Sequence, residues 1–243
     1  MTFPDILILV AQTIYLLATL GLAVIGLNAL VLSILYAAYQ NRRSAEPAPL
    51  PDDHLPSVLV QLPIYNESFV VERLIRAAAA LDFPRARLEI QVLDDSTDET
   101  VQKTAVAVEK ARMGGLNIRH IRRGTREGFK AGALAYGLAQ SVAEIIVIFD
   151  ADFLPDPGFL RRIVPYFTAD TRLGLLQTRW AHLNDDFNSL TMAQSIALDN
   201  HFVVEQTARQ RSGLLMNFAG TAGAWRRACI EQSGGWQGDT LSE

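Results

Sequence analysis

The sequence is poor in the residues that would make several common functions possible. It has a single cysteine, Cys229, which excludes an intramolecular disulfide and any cysteine-based zinc site. Its four histidines, His54, His120, His182 and His201, lie far apart without metal-ligand spacing. There is no basic excess: the formal net charge is −4 and the pI near 5.6, so the chain carries no electrostatic footprint for nucleic acid. No G-x-G-x-x-G follows the first strand-like segment, and no G-x-x-x-x-G-K-[ST] is present, which argues against a dinucleotide oxidoreductase and a P-loop nucleotidase. The G-x-S-x-G turn of the α/β-hydrolases is missing too. No internal repeat is visible.

Charge is absent altogether from Ile6 to Gln40. A helix needs about 20 apolar residues to cross a bilayer, and this run is longer. A secretory signal would have an apolar stretch of roughly 7 to 15 residues behind positive charge. Here Asp5 precedes the run, and Arg42 and Arg43 follow it. The positive-inside rule therefore predicts a transmembrane helix within residues 1–43, with its N-terminus outside and the rest in the cytoplasm, at a cell (inner or plasma) membrane. Residues 44–56 carry four prolines and several charges, the composition of an extended linker. The globular part is expected over 57–243.

There, strand and helix signals alternate. Short β-branched or apolar segments at 57–63, 88–95, 117–123, 144–150 and 173–183 read as strands. Helical periodicity fills 67–81, 98–113, 127–141, 157–167 and a long stretch at 188–212. This alternation predicts βαβ units and a mostly parallel sheet, in which ligands sit at the carboxyl ends of the strands.

Two of those ends are acidic. "LDDSTDE" places Asp94 and Asp95 after the second strand, and "FDADF" places Asp150 and Asp152 after the fourth. Such pairs repel one another unless something positive lies between them. Mg²⁺ or Mn²⁺ carrying phosphate is one answer, because these ions bind through one or two carboxylates plus substrate phosphates. Side-chain alternation in an extended segment would put Asp150 and Asp152 on one side. The plainer reading is that Asp94, Asp95 and Asp98 cap the following helix. Both acidic pairs together favour a metal–nucleotide site.

The segments "VQLPIYNE", "VLDDSTDET", "GFKAGAL", "IFDADF" and "NFAGTAGAWR", in this order from about Val58 to the end, resemble the inverting processive glycosyltransferases of family two. The likeness is greatest to cellulose-synthase-like enzymes that make β-mannan or glucomannan. The resemblance implies the A-type nucleotide-diphospho-sugar transferase fold, an α/β architecture. It implies that Tyr65 and Glu67 line the nucleotide base pocket, that Asp94 and Asp95 contact base and ribose, and that Lys130 approaches the nucleotide. Asp150 and Asp152 would hold Mg²⁺ or Mn²⁺ on the diphosphate, and Gly220, Thr221 and Trp225 would meet the acceptor. For Trp225 and Trp236, core packing is at least as good a reading. For the His201/Glu205 pair, four residues apart, a structural contact is the better one. "QTRW" at 177–180 is one residue short of the family's polymer-gripping motif; Gln177, Arg179 and Trp180 are read as strand residues facing the site.

The implied reaction moves a hexose from a GDP- or UDP-sugar to a glycan or lipid acceptor with inversion. Alternatives are a non-processive glycolipid transferase and a membrane-tethered nucleotide-sugar sensor without catalysis. In the family the general base is an aspartate following a threonine- or serine-glutamate pair; here "TLSE" ends at Glu243, so no catalytic base is assigned within the chain. The chain is expected to bind donor nucleotide and to turn it over below the full rate. Full activity from the purified 243-residue chain would refute this reading of the base.

Overall fold

The computed structural model describes residues 2–42 and 45–239. Arg43 and the "TLSE" end at 240–243 lie outside the described residues. The chain divides into two compact units, one of residues 1–44 with 179–217 and one of residues 45–178 with 218–243.

The first unit is helical. α1 (Phe3–Tyr39) is a single helix of 37 residues whose only buried residue is Leu32. Its start is fixed locally, with the Thr2 amide donating to Asp5 Oδ2 at 2.7 Å and Pro4 in the first turn, where a missing N–H costs nothing. Among the described residues it is the one helix long and apolar enough to cross a membrane. The expected long helix at 188–212 is present in three pieces: α6 (Ser189–Asp199), a π-helical stretch (Asn200–Gln206) and α7 (Thr207–Ser212). Asn188 caps α6 by accepting from the amides of Leu190 and Thr191. The Arg211 guanidinium donates to the Gln40 carbonyl at the end of α1. Met192 and Ile196 on α6 are exposed, whereas Thr191, Ser195 and Leu198 are half-buried.

The second unit is built on a six-stranded sheet of order β3-β2-β1-β4-β6-β5. Its strands are β1 (Val58–Ile64), β2 (Leu88–Asp94), β3 (Ile118–Ile121), β4 (Ile145–Ile148), β5 (Leu175–Gln177) and β6 (Gly223–Arg226). β1, β2, β3 and β4 pair in parallel, and β6 runs antiparallel to both of its neighbours. Every residue of β1 and β4 is buried, as expected for central strands covered by helices on both faces. The connecting helices are α2 (Val71–Ala79), α3 (Thr100–Met113), α4 (Phe129–Leu138) and α5 (Phe159–Ala169), and α8 (Arg227–Gln232) follows β6. α4 packs Ala133 and Leu134 onto Leu93 of β2 and Ile148 of β4.

Two elements depart from the expected pattern. β6 falls where the sequence reads as a loop: four residues, "GAWR", form a strand because the edge of β4 leaves backbone donors and acceptors open. β5 is much shorter than 173–183, because β6 offers it only Gly223–Trp225 for pairing. Arg179 and Trp180 are therefore not strand residues. Arg179 pairs with Asp199, and the Trp180 ring lies tilted against Phe202 with centroids 5.3 Å apart. Gln177 does end β5, where its side chain accepts from the Ala219 amide and donates to the Thr221 carbonyl.

Arg226 ties β6 to the end of α5. Its guanidinium donates to the carbonyls of Phe167 (2.7 Å), Leu173 (3.0 Å) and Asp170 (3.2 Å), of which Phe167 is among the last carbonyls of α5, left without an intrahelical partner. A hydrogen bond involving a charged group contributes about 1.5–3 kcal/mol. Arg226→Ala is expected to lower the unfolding free energy by about 2–3 kcal/mol, measured by urea denaturation. A change below about 0.5 kcal/mol would place it among ordinary surface substitutions.

Candidate active site

The order 3-2-1-4 makes the β1/β4 boundary the point where the chain's winding reverses, and a crevice opens there beyond the strand ends. A cavity of about 490 Å³ occupies it, lined by residues following β1 (Tyr65, Glu67), β2 (Asp95) and β4 (Asp150, Asp152), with Arg126 from the approach to α4 and Lys130 from its first turn. Its size suits a small-molecule ligand.

The four acidic groups are not left facing one another. Lys130 Nζ lies 2.7 Å from Asp150 Oδ1 and donates to the Gly220 carbonyl at 2.9 Å. Arg123 grips Asp95 with both arms, Nε to Oδ1 at 2.8 Å and Nη2 to Oδ2 at 2.5 Å, and the same guanidinium donates to the carbonyls of Glu127 and Phe129. The Arg126 guanidinium carbon lies over the Tyr65 ring, 3.4 Å from its centroid, a cation–π contact at one wall. The loop that carries these arginines folds closely onto α4. A Cβ at Gly132 would sit 2.1 Å from the Glu127 carbonyl oxygen, so only glycine fits. Sequence reading overlooked Arg123 and Arg126; the signal was in "RRGTREG" just ahead of Lys130, a cluster of cations beside two acidic strand ends.

Asp150 and Asp152 share the cavity, for a reason other than strand alternation. β4 stops at Ile148, and the Phe153 amide bonds the Asp150 carbonyl at 3.0 Å. The two aspartates thus sit on a turn rather than an extended segment. The Asp150 amide is held by the Thr221 hydroxyl at 2.8 Å. Gly220 and Thr221 thus secure Lys130 and Asp150 from behind, Gly220 with a positive φ of 82° that glycine adopts freely. Trp225 lies on β6 in edge-to-face contact with Phe218 at 5.2 Å and with Trp236 at 5.7 Å, and packs against the core.

Asp94 is not among the residues lining the cavity. Its carboxylate is buried, accepting from the Ser96 amide at 2.9 Å and lying 2.7 Å from His120 Nε2. Ser96 in turn accepts from the Asn66 amide, and Asn66 Oδ1 accepts from the Thr97 amide. This chain stitches the turn after β2 to the turn carrying Tyr65 and Glu67. Asp98 serves the start of α3, accepting from the Thr100 amide at 2.9 Å. The acidic run thus splits among a helix start, a buried brace and a cavity wall.

With the geometry in place, the comparisons with known proteins decide the family. The model described as "Glycosyl transferase family 2" matches residues 59–232. The chain belongs to that family. Glucomannan 4-beta-mannosyltransferase 2 of Arabidopsis thaliana is 47% identical over 199 residues, covering 80% of this chain and 37% of that protein. Glucomannan 4-beta-mannosyltransferase 1 of Oryza sativa subsp. japonica is 41% identical over 207 residues, covering 80% and 40%. The chain therefore spans well under half the length of these curated relatives. Among solved structures, the mannosyltransferase PcManGT from Pyrobaculum calidifontis, in complex with GDP-Man and Mn²⁺, superposes with a TM-score of 0.66 and 27% identity over 88% of this chain and 58% of that one. The A-type α/β fold expected from the resemblance is present.

Burial alone would push the Asp94 carboxyl upward, but the hydrogen bonds from His120 and Ser96 outweigh it and hold its pKa below the ordinary 3.8. A carboxyl held low in the folded state stabilises above the ordinary value, and the contribution is lost as pH falls through the lower folded value. Asp94→Asn is expected to cost about 1.5–3 kcal/mol at pH 7. The gap to the unsubstituted protein should narrow as acid is added below the ordinary 3.8, followed by chemical unfolding across the pH series. A gap that is constant with pH would contradict the assignment.

Proposed function

We propose that this chain supplies the donor-binding part of a membrane-bound, inverting hexosyltransferase that extends a β-mannan or glucomannan from GDP-mannose. The observation that carries the reading is the cavity at the β1/β4 strand ends, which gathers Tyr65, Glu67, Asp95, Lys130, Asp150 and Asp152. The names of the relatives and the GDP-Man and Mn²⁺ in the similar structure favour GDP-mannose over a UDP-sugar and Mn²⁺ as a suitable cation.

In this reading Tyr65 and Glu67 take the base, with Arg126 on the Tyr65 face closing that wall. Asp95, kept in place by Arg123, meets the ribose. Asp94 acts at one remove by bracing the turn. Asp150 and Asp152 fit a divalent cation: two hard oxygen donors on one turn, with no third acidic or histidine group grouped beside them among the described residues. Such a set leaves coordination positions for diphosphate and water. Bound there, the cation supplies Lewis-acid stabilisation of charge on the leaving diphosphate. Lys130, already on Asp150, places a second positive charge at the same end of the donor. The loop of Gly220 and Thr221 backs this end of the cavity, and the acceptor is proposed to approach across it, with Trp225 setting the loop's position from the core.

The membrane reading is supported by α1, whose residues 3–31 are all exposed, a length of about 43 Å at 1.5 Å per residue, enough for the roughly 30 Å hydrocarbon layer. Arg42 at its end points to a cytoplasmic C-terminal side, where the donor-binding unit would follow.

Calorimetric titration of the chain with GDP and UDP, each with and without Mn²⁺, tests the site. GDP is expected to bind only with Mn²⁺ and more tightly than UDP. Asp152→Asn should weaken it by at least about tenfold, 1.4 kcal/mol. Equal binding with and without metal, unchanged in the variant, would overturn the site.

A further inference from the structure

Two glutamines lie where apolar side chains would be expected. Gln61 on β1 and Gln91 on β2 are both 0% exposed and stand opposite one another in the register. Gln61 Nε2 donates to Gln91 Oε1 and to the Leu134 carbonyl, each at 3.1 Å. Gln91 Nε2 donates to the Gly137 carbonyl at 3.0 Å and to Glu89 Oε1 at 3.1 Å. Neighbouring strands thus each send one amide into the backbone of the same helix, α4.

Stability alone does not call for this arrangement. Burying an amide costs free energy that its hydrogen bonds only offset, and an apolar pair of the same shape can be as good. Gln61 Oε1 even lacks a hydrogen-bond partner among the described residues. What directed bonds add is register. Apolar contact lets a helix slide on a sheet, whereas a slide of one residue, about 1.5 Å, would pull both carbonyls away from their donors. The helix makes room for the pair at Gly137, where a Cβ would sit 2.4 Å from Gln91 Oε1 and 2.7 Å from Gln61 Nε2.

The same stripe of α4 carries Lys130. Residues 130, 134 and 137 are spaced i, i+4, i+7, one face of a helix, so the axial position set at Leu134 and Gly137 is transmitted along a rigid rod to Lys130. There Nζ must land within 3 Å of both Asp150 Oδ1 and the Gly220 carbonyl, as it does at 2.7 and 2.9 Å. We propose that Gln61 and Gln91 are positioning residues for the donor site: they lock the register of α4 on the sheet so that Lys130 is delivered to Asp150 and to the donor's diphosphate. The inference rests on the donor-site reading of Lys130 and Asp150.

The test is a thermodynamic cycle on the 243-residue chain, titrating GDP and UDP with Mn²⁺ and recording thermal unfolding in parallel. Gln61→Met with Gln91→Met replaces both amides by unbranched apolar chains of similar size. The double variant is expected to bind the nucleotide on the order of tenfold more weakly, within what a displacement of about 1 Å can cost at a positioned group. In a Lys130→Ala background the same substitutions should cost nothing further, because residues that act through one group are not additive. Unchanged affinity in the double variant, or a full additional loss in the Lys130→Ala background, overturns the proposal; a purely structural role gives the latter. Should the double variant fail to fold, Gly137→Ala, which crowds the same pair, is judged by the same two criteria. If Lys130→Ala alone leaves binding intact, the donor-site reading of Lys130 itself has failed.

Discussion

The architecture of the second unit is organised around the cost of bringing carboxylates together at the ends of buried parallel strands. Glu67, Asp95, Asp150 and Asp152 reach one cavity because the crevice at the β1/β4 reversal is where strand ends converge. Like charges at that range raise one another's free energy, so the surrounding elements are arranged to answer them. Lys130 is held against Asp150 from the first turn of α4, and Arg123 against Asp95 from the loop ahead of it. A protein that had only to fold could have omitted the acids. Keeping them, and placing cations that do not fill the cavity, is what the proposed donor, anionic and metal-carrying, would require.

The cations in turn depend on how tightly the loop at 123–128 and α4 fit the sheet. Gly132 lets the Glu127 carbonyl close on the helix, and Arg123 binds that carbonyl and the one of Phe129 while it holds Asp95. The buried glutamines and Gly137 set the other end of α4. Rigid elements hold functional groups more closely than loops do, and here the loop is made rigid by the same guanidinium that neutralises the acid. Asp94 follows a similar logic: a carboxylate lost to the ligand is spent on bracing the turn from which Tyr65 and Glu67 project.

The first unit has a different physical character. α1 leaves nearly all of its apolar surface open, and α6 turns Met192 and Ile196 outward while Thr191 and Ser195 are half-buried. Its polar contacts include Arg179 with Asp199 and the run His201–Glu205–Arg209 along the helix, beside the bond from Arg211 back to the end of α1. The His201/Glu205 pair is thus a structural contact within a helix, as its spacing suggested, and Asp199 is occupied by Arg179.

Sequence alone determined the alternation of strands and helices, the mostly parallel sheet, the apolar helix at the start and the acidic strand ends, because each is written in local periodicity or composition. It could not show that "GAWR" is a strand, since four residues acquire that state only from the open edge of β4. It could not divide the labour within Asp94, Asp95 and Asp98, because adjacent aspartates look alike until the backbone turns one inward to His120, one toward Arg123 and one to the start of α3. Nor could it say that Arg123 supplies part of the positive charge beside the acidic pairs by holding Asp95. Arg123 and Lys130 are 28 and 90 residues from the groups they hold, Asp95 and the Gly220 carbonyl, and the pairing of β2 with β3 and the packing of α4 on the sheet bring such separations to hydrogen-bond length.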